Sequence, residues 1–246
     1  IGQKETHKFL SALNDFYRTS RFNDFFNTHT DIYELGLQVF NDSVMAHFDQ
    51  EWYTRFYGTP PAEQFRIIIG FTNGPCNYGP SRKLTGQPKE VFAIMNYAVD
   101  DNERPIFYKK VVETVVHEFC HSFTKIKGDT EKALEKSGKA LQEYTYFSMR
   151  RQAYSTWRNI LEESLVRAAT ICYLIDHNYD EKDIRNAIIE QVDRNFFWMP
   201  ELVQTLRYYE SHRKKYPTFT SFYPEIIRFF DRYVTNMEKE MKKAMK

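Results

Sequence analysis

The sequence predicts a predominantly helical α+β protein, and three observations lead to this fold class. Apolar residues recur at three- and four-residue steps between Phe9 and Phe16, as on one face of an α-helix. Two short apolar segments, 65–71 and 90–99, are flanked by turn-forming residues and predict strands. After Gly128 the pattern is helical almost to the C-terminus. We therefore expect a small sheet within a mostly helical chain.

The elements are expected in a fixed order along the chain. Two or three helices should lie between Lys4 and about Tyr57, followed by the two strands. The capping residues and the proline of DDNERP predict that a helix starts near Pro105. Several further helices follow, and the last should begin at about Tyr223. We predict a single unit, residues 1–246, within which two lobes, 1–128 and 129–246, can be drawn.

Composition excludes several classes of function. The chain has 246 residues, with 34 basic and 33 acidic side chains and a net charge of +1, so we expect no nucleic-acid partner. No apolar run approaches the roughly 20 residues of a membrane-spanning helix, and we expect a soluble protein. Three cysteines without paired spacing argue against a disulfide framework. The first residue is Ile1, and we expect any targeting segment to have been removed.

The segment VVETVVHEFCHSF, from Val111 to Phe123, predicts an amphipathic helix with HEFCH on its polar side. At about 100° per residue, His117 and His121 lie about 40° apart and one turn apart, so both rings can point at one atom. Glu118 lies about 100° round from His117, where its carboxylate can reach a water held by a metal. The other interpretation is a solvated helix face that carries two histidines.

This spacing is that of the HExxH motif, in which two imidazoles bind Zn²⁺ and the glutamate acts as general base. Zinc lowers the pKa of its water toward about 7 and polarises a carbonyl, so hydroxide becomes available near neutral pH. Glu118 would take the proton of the water and pass it to the leaving amine. The sequence thus predicts His117 and His121 as ligands and Glu118 as the base.

A catalytic zinc site needs a third protein ligand, and the segment LEESLVRAA offers two candidates. Glu163 lies opposite the apolar face of the predicted helix, and Arg167, one turn later, can hold its carboxylate. Glu162 lies nearer the apolar flank and is expected to form an ion pair with Arg158. We favour Glu163 as the ligand and keep Glu162 as the alternative.

With HEFCHSF followed by ESLVRA, the sequence resembles the gluzincin zinc metallopeptidases. More narrowly, it is similar to an uncharacterised bacterial family of exported metallopeptidase-like proteins with a domain of unknown function. The resemblance covers roughly residues 65–174. It implies a zincin-like fold with a small sheet beside the active-site helix, a zinc cofactor, and hydrolysis of peptide or protein substrates. It also implies export to the periplasm, the cell surface or the medium.

The chain departs from the family pattern at one position. Better-known gluzincins have an aspartate four residues after the ligand glutamate, where this chain has Arg167. The resemblance also implies a substrate strand, for which segment 90–99 is the candidate. A non-catalytic helical binding protein that keeps the fold, and even the metal, is the rival hypothesis. The intact Glu118 favours the enzyme.

Other residues have weaker claims to a role in the site. Cys120 could compete as a soft ligand, although packing explains a small residue there equally well. The transition-state electrophile, often a tyrosine, could be Tyr144, Tyr146 or Tyr154. Tyr78 stands in a turn-rich loop and could line the substrate site.

Overall fold

The computed structural model describes residues 2–74, 76–108 and 110–245. Helices dominate and the strands are short, which confirms the predicted α+β class, predominantly helical with small sheets. The helices are α1 (Gln3–Thr19), α2 (Phe22–Thr28), α3 (Thr30–Ser43), α4 (Glu51–Tyr57), α5 (Lys110–Cys120), α6 (Gly128–Tyr144), α7 (Tyr146–Arg151), α8 (Trp157–Asp176), α9 (Glu181–Asp193), α10 (Met199–Ser211) and α11 (Phe219–Ala244). The strands are β1 (Gln64–Ile69), β2 (Ser81–Arg82), β3 (Glu90–Met95), β4 (Ala98–Val99) and β5 (Pro105–Ile106).

Contacts group the chain into two units, and each unit combines two stretches of sequence. One contains residues 1–47 and 97–109, and the other contains residues 48–96 and 110–246. The prediction of a single unit, with lobes divided at residue 128, stays a prediction. No described helix is both long and apolar enough to span a membrane.

The first unit contains α1, α2, α3 and a short hairpin. The hairpin pairs β4 with β5 antiparallel, with Val99 opposite Pro105. The predicted helix start near Pro105 is therefore wrong, because this proline lies in a strand and α5 begins at Lys110. Neither α1 nor α2 contains a buried residue, and the apolar side chains of α1, such as Phe9 and Phe16, are exposed.

The second unit contains a three-stranded sheet in the order β1-β3-β2. Strand β3 pairs parallel with β1 on one side and antiparallel with β2 on the other, and Tyr78 extends the second pairing as a bridge to Ile94. The expectation that segment 90–99 offers an open edge to a substrate is wrong, since β3 is the central strand. Its side chains are apolar on both faces, as in strands that are covered on both sides.

An aromatic core fixes the orientation of α5. Val112, Val115 and Val116 of α5 are fully buried, and Phe119 stacks on Phe65 of β1 with ring centroids 4.1 Å apart. Just after α5, Phe123 stacks on Tyr57 at 4.2 Å and an interplanar angle of 5°. It also lies parallel to Tyr53 at 5.7 Å. Because the apolar face of α5 is held in this way, its histidine face is left for other contacts.

Helix α8 lies at the centre of the second unit and packs against α5, α6 and α10. Its first turn is capped by Thr156, whose hydroxyl accepts a hydrogen bond from the backbone N–H of Asn159 at 3.2 Å. Gly138 lets α6 approach closely, because a Cβ there would lie 2.5 Å from the ring of Trp157. Most of the side chains of α8 are buried, so the position of each residue on it is tightly determined.

Candidate metal centre

The two histidines lie at the C-terminal end of α5. His117 belongs to its last turn, whereas His121 is the first residue beyond the helix, which ends at Cys120. Their rings are 5.1 Å apart and nearly perpendicular, and Glu163 reaches them from α8. One nitrogen from each histidine and one oxygen of Glu163 all lie within 4.8 Å of one another. Among the described residues, this is the one group of three His, Cys, Asp or Glu side chains with that geometry.

The separations of the three groups suit a metal better than direct hydrogen bonds. Nε2 of His117 lies 3.4 Å from Oε1 of Glu163, and Nε2 of His121 lies 3.6 Å from Oε2. Both distances exceed the usual N–H···O range of about 2.7–3.2 Å. Ligand bonds of about 2.0–2.2 Å at a tetrahedral zinc place neighbouring ligand atoms about 3.3 Å apart. The two imidazoles and the carboxylate therefore fit zinc with one position left for another ligand.

Burial sets the protonation states that metal binding requires. It lowers the pKa of His117 to about 3 and also lowers the pKa of His121, so both rings are neutral at pH 7. Glu163 is only 6% exposed. Burial opposes its charge, but the charge of Arg167 and the hydrogen bond from Tyr154 hold the pKa of this carboxyl below its ordinary value. Neutral imidazoles and an ionised carboxylate are the forms that ligate a metal.

A buried polar network supports Glu163. Nη2 of Arg167 lies 2.7 Å from Oε1 of Glu163, one turn away as the sequence predicts. The hydroxyl of Tyr154 donates to the same oxygen at 2.9 Å and accepts from Nη2 of Arg167 at 3.0 Å. Nη1 of Arg167 donates to Oε1 of Gln191, and the guanidinium lies 5.1 Å from the ring centroid of Phe196. These contacts fix the direction of the Glu163 carboxylate.

The neighbouring carboxylate, Glu162, has different partners. Its Oε1 accepts a hydrogen bond from the backbone N–H of Ile126 at 2.9 Å, and its Oε2 pairs with Lys125 at 3.1 Å. The predicted ion pair with Arg158 is wrong, because Arg158 pairs with Glu131 of α6. Glu162 thus ties the segment after His121 to α8, while Glu163 faces the histidines.

Glu118 lines the same cleft as His117 and lies beside the backbone of Gly79. Burial raises the pKa of Glu118 to about 7, and the negative charge of Glu163 adds to this shift. A carboxyl with a pKa near the working pH can both accept and release a proton. Gly79 leaves room for this carboxylate, because a Cβ on residue 79 would overlap Oε2 of Glu118.

The other residues that the sequence suggested for the site, Cys120 and four tyrosines, differ in burial and in contact with Glu163. Cys120 is fully buried outside the three-ligand group, and burial raises the pKa of its thiol to about 12. Tyr144 and Tyr146 are both more than 40% exposed. Of the three candidate tyrosines, Tyr154 is the one whose hydroxyl contacts Glu163. Tyr78 is half exposed and lines the adjoining cleft.

A cleft of about 810 Å³ opens beside the centre. His117, Glu118 and Tyr78 line one part of it, and Glu190 and Arg194 of the α9 region line another. A cavity of this size can take several residues of an extended chain or a small molecule.

Two residues of the site were missed at the level of the sequence. Gly79 stands in a turn-rich segment where a glycine needs no special explanation, and its closeness to Glu118 comes from the pairing of that segment with β3. Gln191 is polar yet only 8% exposed on α9. Its position on a helix face that turns inward is the signal that could have suggested a partner there.

Comparisons with known proteins give a family but no activity. A family model described as a domain of unknown function, DUF4932, matches residues 1–229. No curated protein and no solved structure matches the chain. Because the family model covers most of the sequence, the chain belongs to the DUF4932 family.

Proposed function

We propose that this protein is a zinc-dependent peptidase with a zincin-like fold. The observation that carries the proposal is the convergence of His117, His121 and Glu163, whose ligand atoms lie within 4.8 Å of one another beside a second carboxylate, Glu118. The HExxH spacing and the resemblance to the gluzincins support the same activity. By that resemblance, we also propose that the protein works outside the cytoplasm.

The three ligand residues would hold zinc from two parts of the chain. Nε2 of His117 and Nε2 of His121 come from the end of α5, and the carboxylate of Glu163 completes the set from α8. When bound, zinc would polarise the carbonyl of the scissile bond and make an attacking water more acidic. Arg167 and Tyr154 would keep the Glu163 carboxylate oriented and charged.

Glu118 is the proposed general base. Its partial burial and its raised pKa, about 7, allow it to accept the proton of the attacking water and then to protonate the leaving amine. These two proton transfers need no other titratable side chain. Removal of the Glu118 carboxylate should therefore abolish turnover without removing a ligand.

The segment around Gly79 is a suitable place for the substrate backbone. Tyr78 exchanges two hydrogen bonds with Ile94 of β3, and the carbonyl of Pro80 accepts from Phe92. Since hydrogen-bonding groups alternate in direction along an antiparallel strand, the N–H and C=O of Gly79 point away from β3. An extended peptide could pair there by strand addition, next to Glu118.

Metal analysis and peptide hydrolysis together test the proposal. Wild-type protein should bind about one zinc per chain, and His117→Ala and His121→Ala should each lose most of this affinity. Glu118→Gln should keep zinc but lose most hydrolysis of a peptide library. Stoichiometric zinc with unchanged affinity in either histidine variant would reject the site. A zinc-loaded wild type that binds a protein tightly but cleaves no peptide would favour a non-catalytic binding protein.

A further inference from the structure

The cleft extends from His117 toward the first turn of α5, where three charged residues meet. Nζ of Lys110 lies 2.6 Å from Oε2 of Glu190, and Nη2 of Arg194 lies 3.2 Å from Oε1 of the same carboxylate. The Glu190 carboxylate therefore pairs with both Lys110 and Arg194, and these three residues together carry a net positive charge. All three residues line the cleft.

Arg194 has hydrogen-bonding capacity beyond its contact with Glu190. The ion pair uses Nη2, whereas a guanidinium carries five N–H donors. The side chain is 46% exposed, so an incoming group can reach it. His117 lines the same cleft as Arg194. A group held by Arg194 would therefore lie in the cleft that reaches the candidate metal centre.

A second arginine, Arg167, lines the same cleft. Nε of Arg167 is buried and makes no hydrogen bond with the described residues. Gln191 connects the two arginines in space, because it accepts from Nη1 of Arg167 and lies three residues before Arg194 on the same side of the cleft. Arg167 therefore adds positive charge to the wall of the cleft, while its buried Nε is not a contact point for a bound molecule.

We propose that the cleft selects peptides with a carboxylate close to the scissile bond, and that Arg194 binds this carboxylate with help from Lys110. This inference rests on the proposed peptidase function and names its substrate class. Guanidinium and carboxylate groups match in shape and can form two parallel hydrogen bonds. The carboxylate is either the C-terminus of the substrate or the side chain of an aspartate or glutamate.

The position of the group limits where the carboxylate lies in the substrate. Lys110 and His117 are two turns apart on α5, about 10 Å along the helix axis. An extended peptide covers this distance with about three residues. The cleft wall between them includes Ile171, Leu174 and Ala187, against which the apolar part of a substrate residue can pack.

Glu113 is an acidic residue of the cleft, as Glu118 is, and its charge opposes this preference. It lines the same cleft from α5. Burial raises the pKa of Tyr179, and the charge of Glu113 adds to that shift, so Glu113 lies near Tyr179. Were Glu113 rather than Arg194 the dominant contact, the cleft would favour substrates with a lysine or an arginine. That preference is the contrary outcome of the test.

The test compares matched short peptides that differ only in charge, with protein supplied with zinc. One pair ends in a free carboxylate or an amide, a second pair carries an internal aspartate or asparagine, and a further peptide carries a lysine. We expect wild-type kcat/KM to favour at least one carboxylate peptide over its neutral partner by on the order of tenfold. The pair that shows the effect identifies the source of the carboxylate.

Variants on α9 assign the preference to a residue. Arg194→Gln should remove the preference, and Arg194→Lys should keep part of it, because the charge remains while the paired geometry is lost. Arg185→Gln is the matched control, since Arg185 pairs with Glu181 on an exposed face of the same helix. It should leave the preference unchanged.

Binding of the same labelled peptides to zinc-loaded Glu118→Gln protein, followed by fluorescence anisotropy, separates this inference from the peptidase function. Equal affinity for charged and neutral peptides, together with equal hydrolysis by wild type, would overturn the anion site and leave the peptidase intact. Binding that depends on a carboxylate and on Arg194, without any hydrolysis by wild type, would keep the site and reject the peptidase. Absence of both binding and hydrolysis, or a preference for the lysine peptide, would also overturn the inference.

Discussion

Gly79 and Glu118 lie so close together that no side chain fits between them. A Cβ on residue 79 would overlap Oε2 of Glu118 and lie 3.2 Å from its Cδ. Gly79 belongs to the segment that pairs with β3, and Glu118 belongs to α5. The proposed base is therefore positioned by the backbone of a neighbouring segment as well as by its own helix.

Gly79→Ala should displace the Glu118 carboxylate and lower kcat by on the order of 10-fold or more, because a shift of about 1 Å is costly in a proton-transfer geometry. The zinc content should not change, because the atoms nearest to a Cβ on residue 79 belong to Glu118 and Phe92 and not to a ligand residue. Steady-state kinetics with parallel metal analysis measures both. In a Glu118→Gln background the glycine substitution should have no further effect on activity. Additive losses would show that Gly79 acts through another group.

Glu163→Gln should weaken zinc affinity by a factor on the order of 10² or more and abolish turnover, because it replaces a charged ligand. Glu162→Gln should leave both nearly intact, since the Glu162 carboxylate is engaged by Ile126 and Lys125. Zinc titration of the two variants side by side measures the difference. The reverse ranking would move the ligand to Glu162.

Tyr154→Phe should lower zinc affinity by roughly 10-fold without unfolding the protein. The substitution removes the hydroxyl that donates to Glu163 at 2.9 Å but keeps the ring beside Phe196, and groups that orient a ligand typically contribute 10–100-fold to metal affinity. Zinc titration and a thermal melt provide the two measurements. Tyr146→Phe is the control, because the Tyr146 hydroxyl contacts Arg150 at an exposed position. Equal affinities in the two variants would contradict a role for Tyr154.

Ionisation of Glu210, which lies beside Asp176, should lower the stability of the protein as the pH rises from about 5 to 9. Burial, together with a hydrogen bond to Asp176, raises the pKa of Glu210 from 4.5 to about 8. A carboxyl whose pKa is higher in the folded state contributes stability that is fully present below its unfolded pKa and is lost as the pH rises through its folded pKa. Glu210→Gln cannot ionise and should show a flatter dependence of the melting temperature on pH. Parallel curves for the two proteins would contradict the shift.

The features set by local pattern could be predicted from the sequence. The helical character of most of the chain, the strands β1 and β3, and the side of α5 that carries the histidines follow from local pattern, and periodicity also favoured Glu163 over Glu162. The face on which a residue lies does not determine its partner. Glu162 therefore binds Lys125 and Ile126 rather than Arg158, because the partners come from a segment distant in sequence.

Strand order and the first residue of a helix also depend on tertiary contacts, as the partners of Glu162 do. The alternation in segment 90–99 is equally compatible with an edge or a central strand, and pairing with β1 and β2 decides the matter. Pro105 suits the first turn of a helix, yet it lies opposite Val99 in a hairpin. Gly79 belongs to the site only through folding, so no local pattern marks it, whereas the inward-facing position of Gln191 on α9 indicates a buried partner without identifying it.

The end of α5 at Cys120 has a consequence for how a metal would enter and leave. His121 lies in the turn beyond the helix, and the segment that follows is held by the stacking of Phe123 on Tyr57 and by the contacts of Glu162 with Lys125 and Ile126. Loosening these contacts would free one ligand while His117 and Glu163 stay on their helices. Such a sub-global opening requires less free energy than unfolding of the whole chain. The exchange rate of the metal ion would then depend on the strength of contacts that do not involve the metal ion itself.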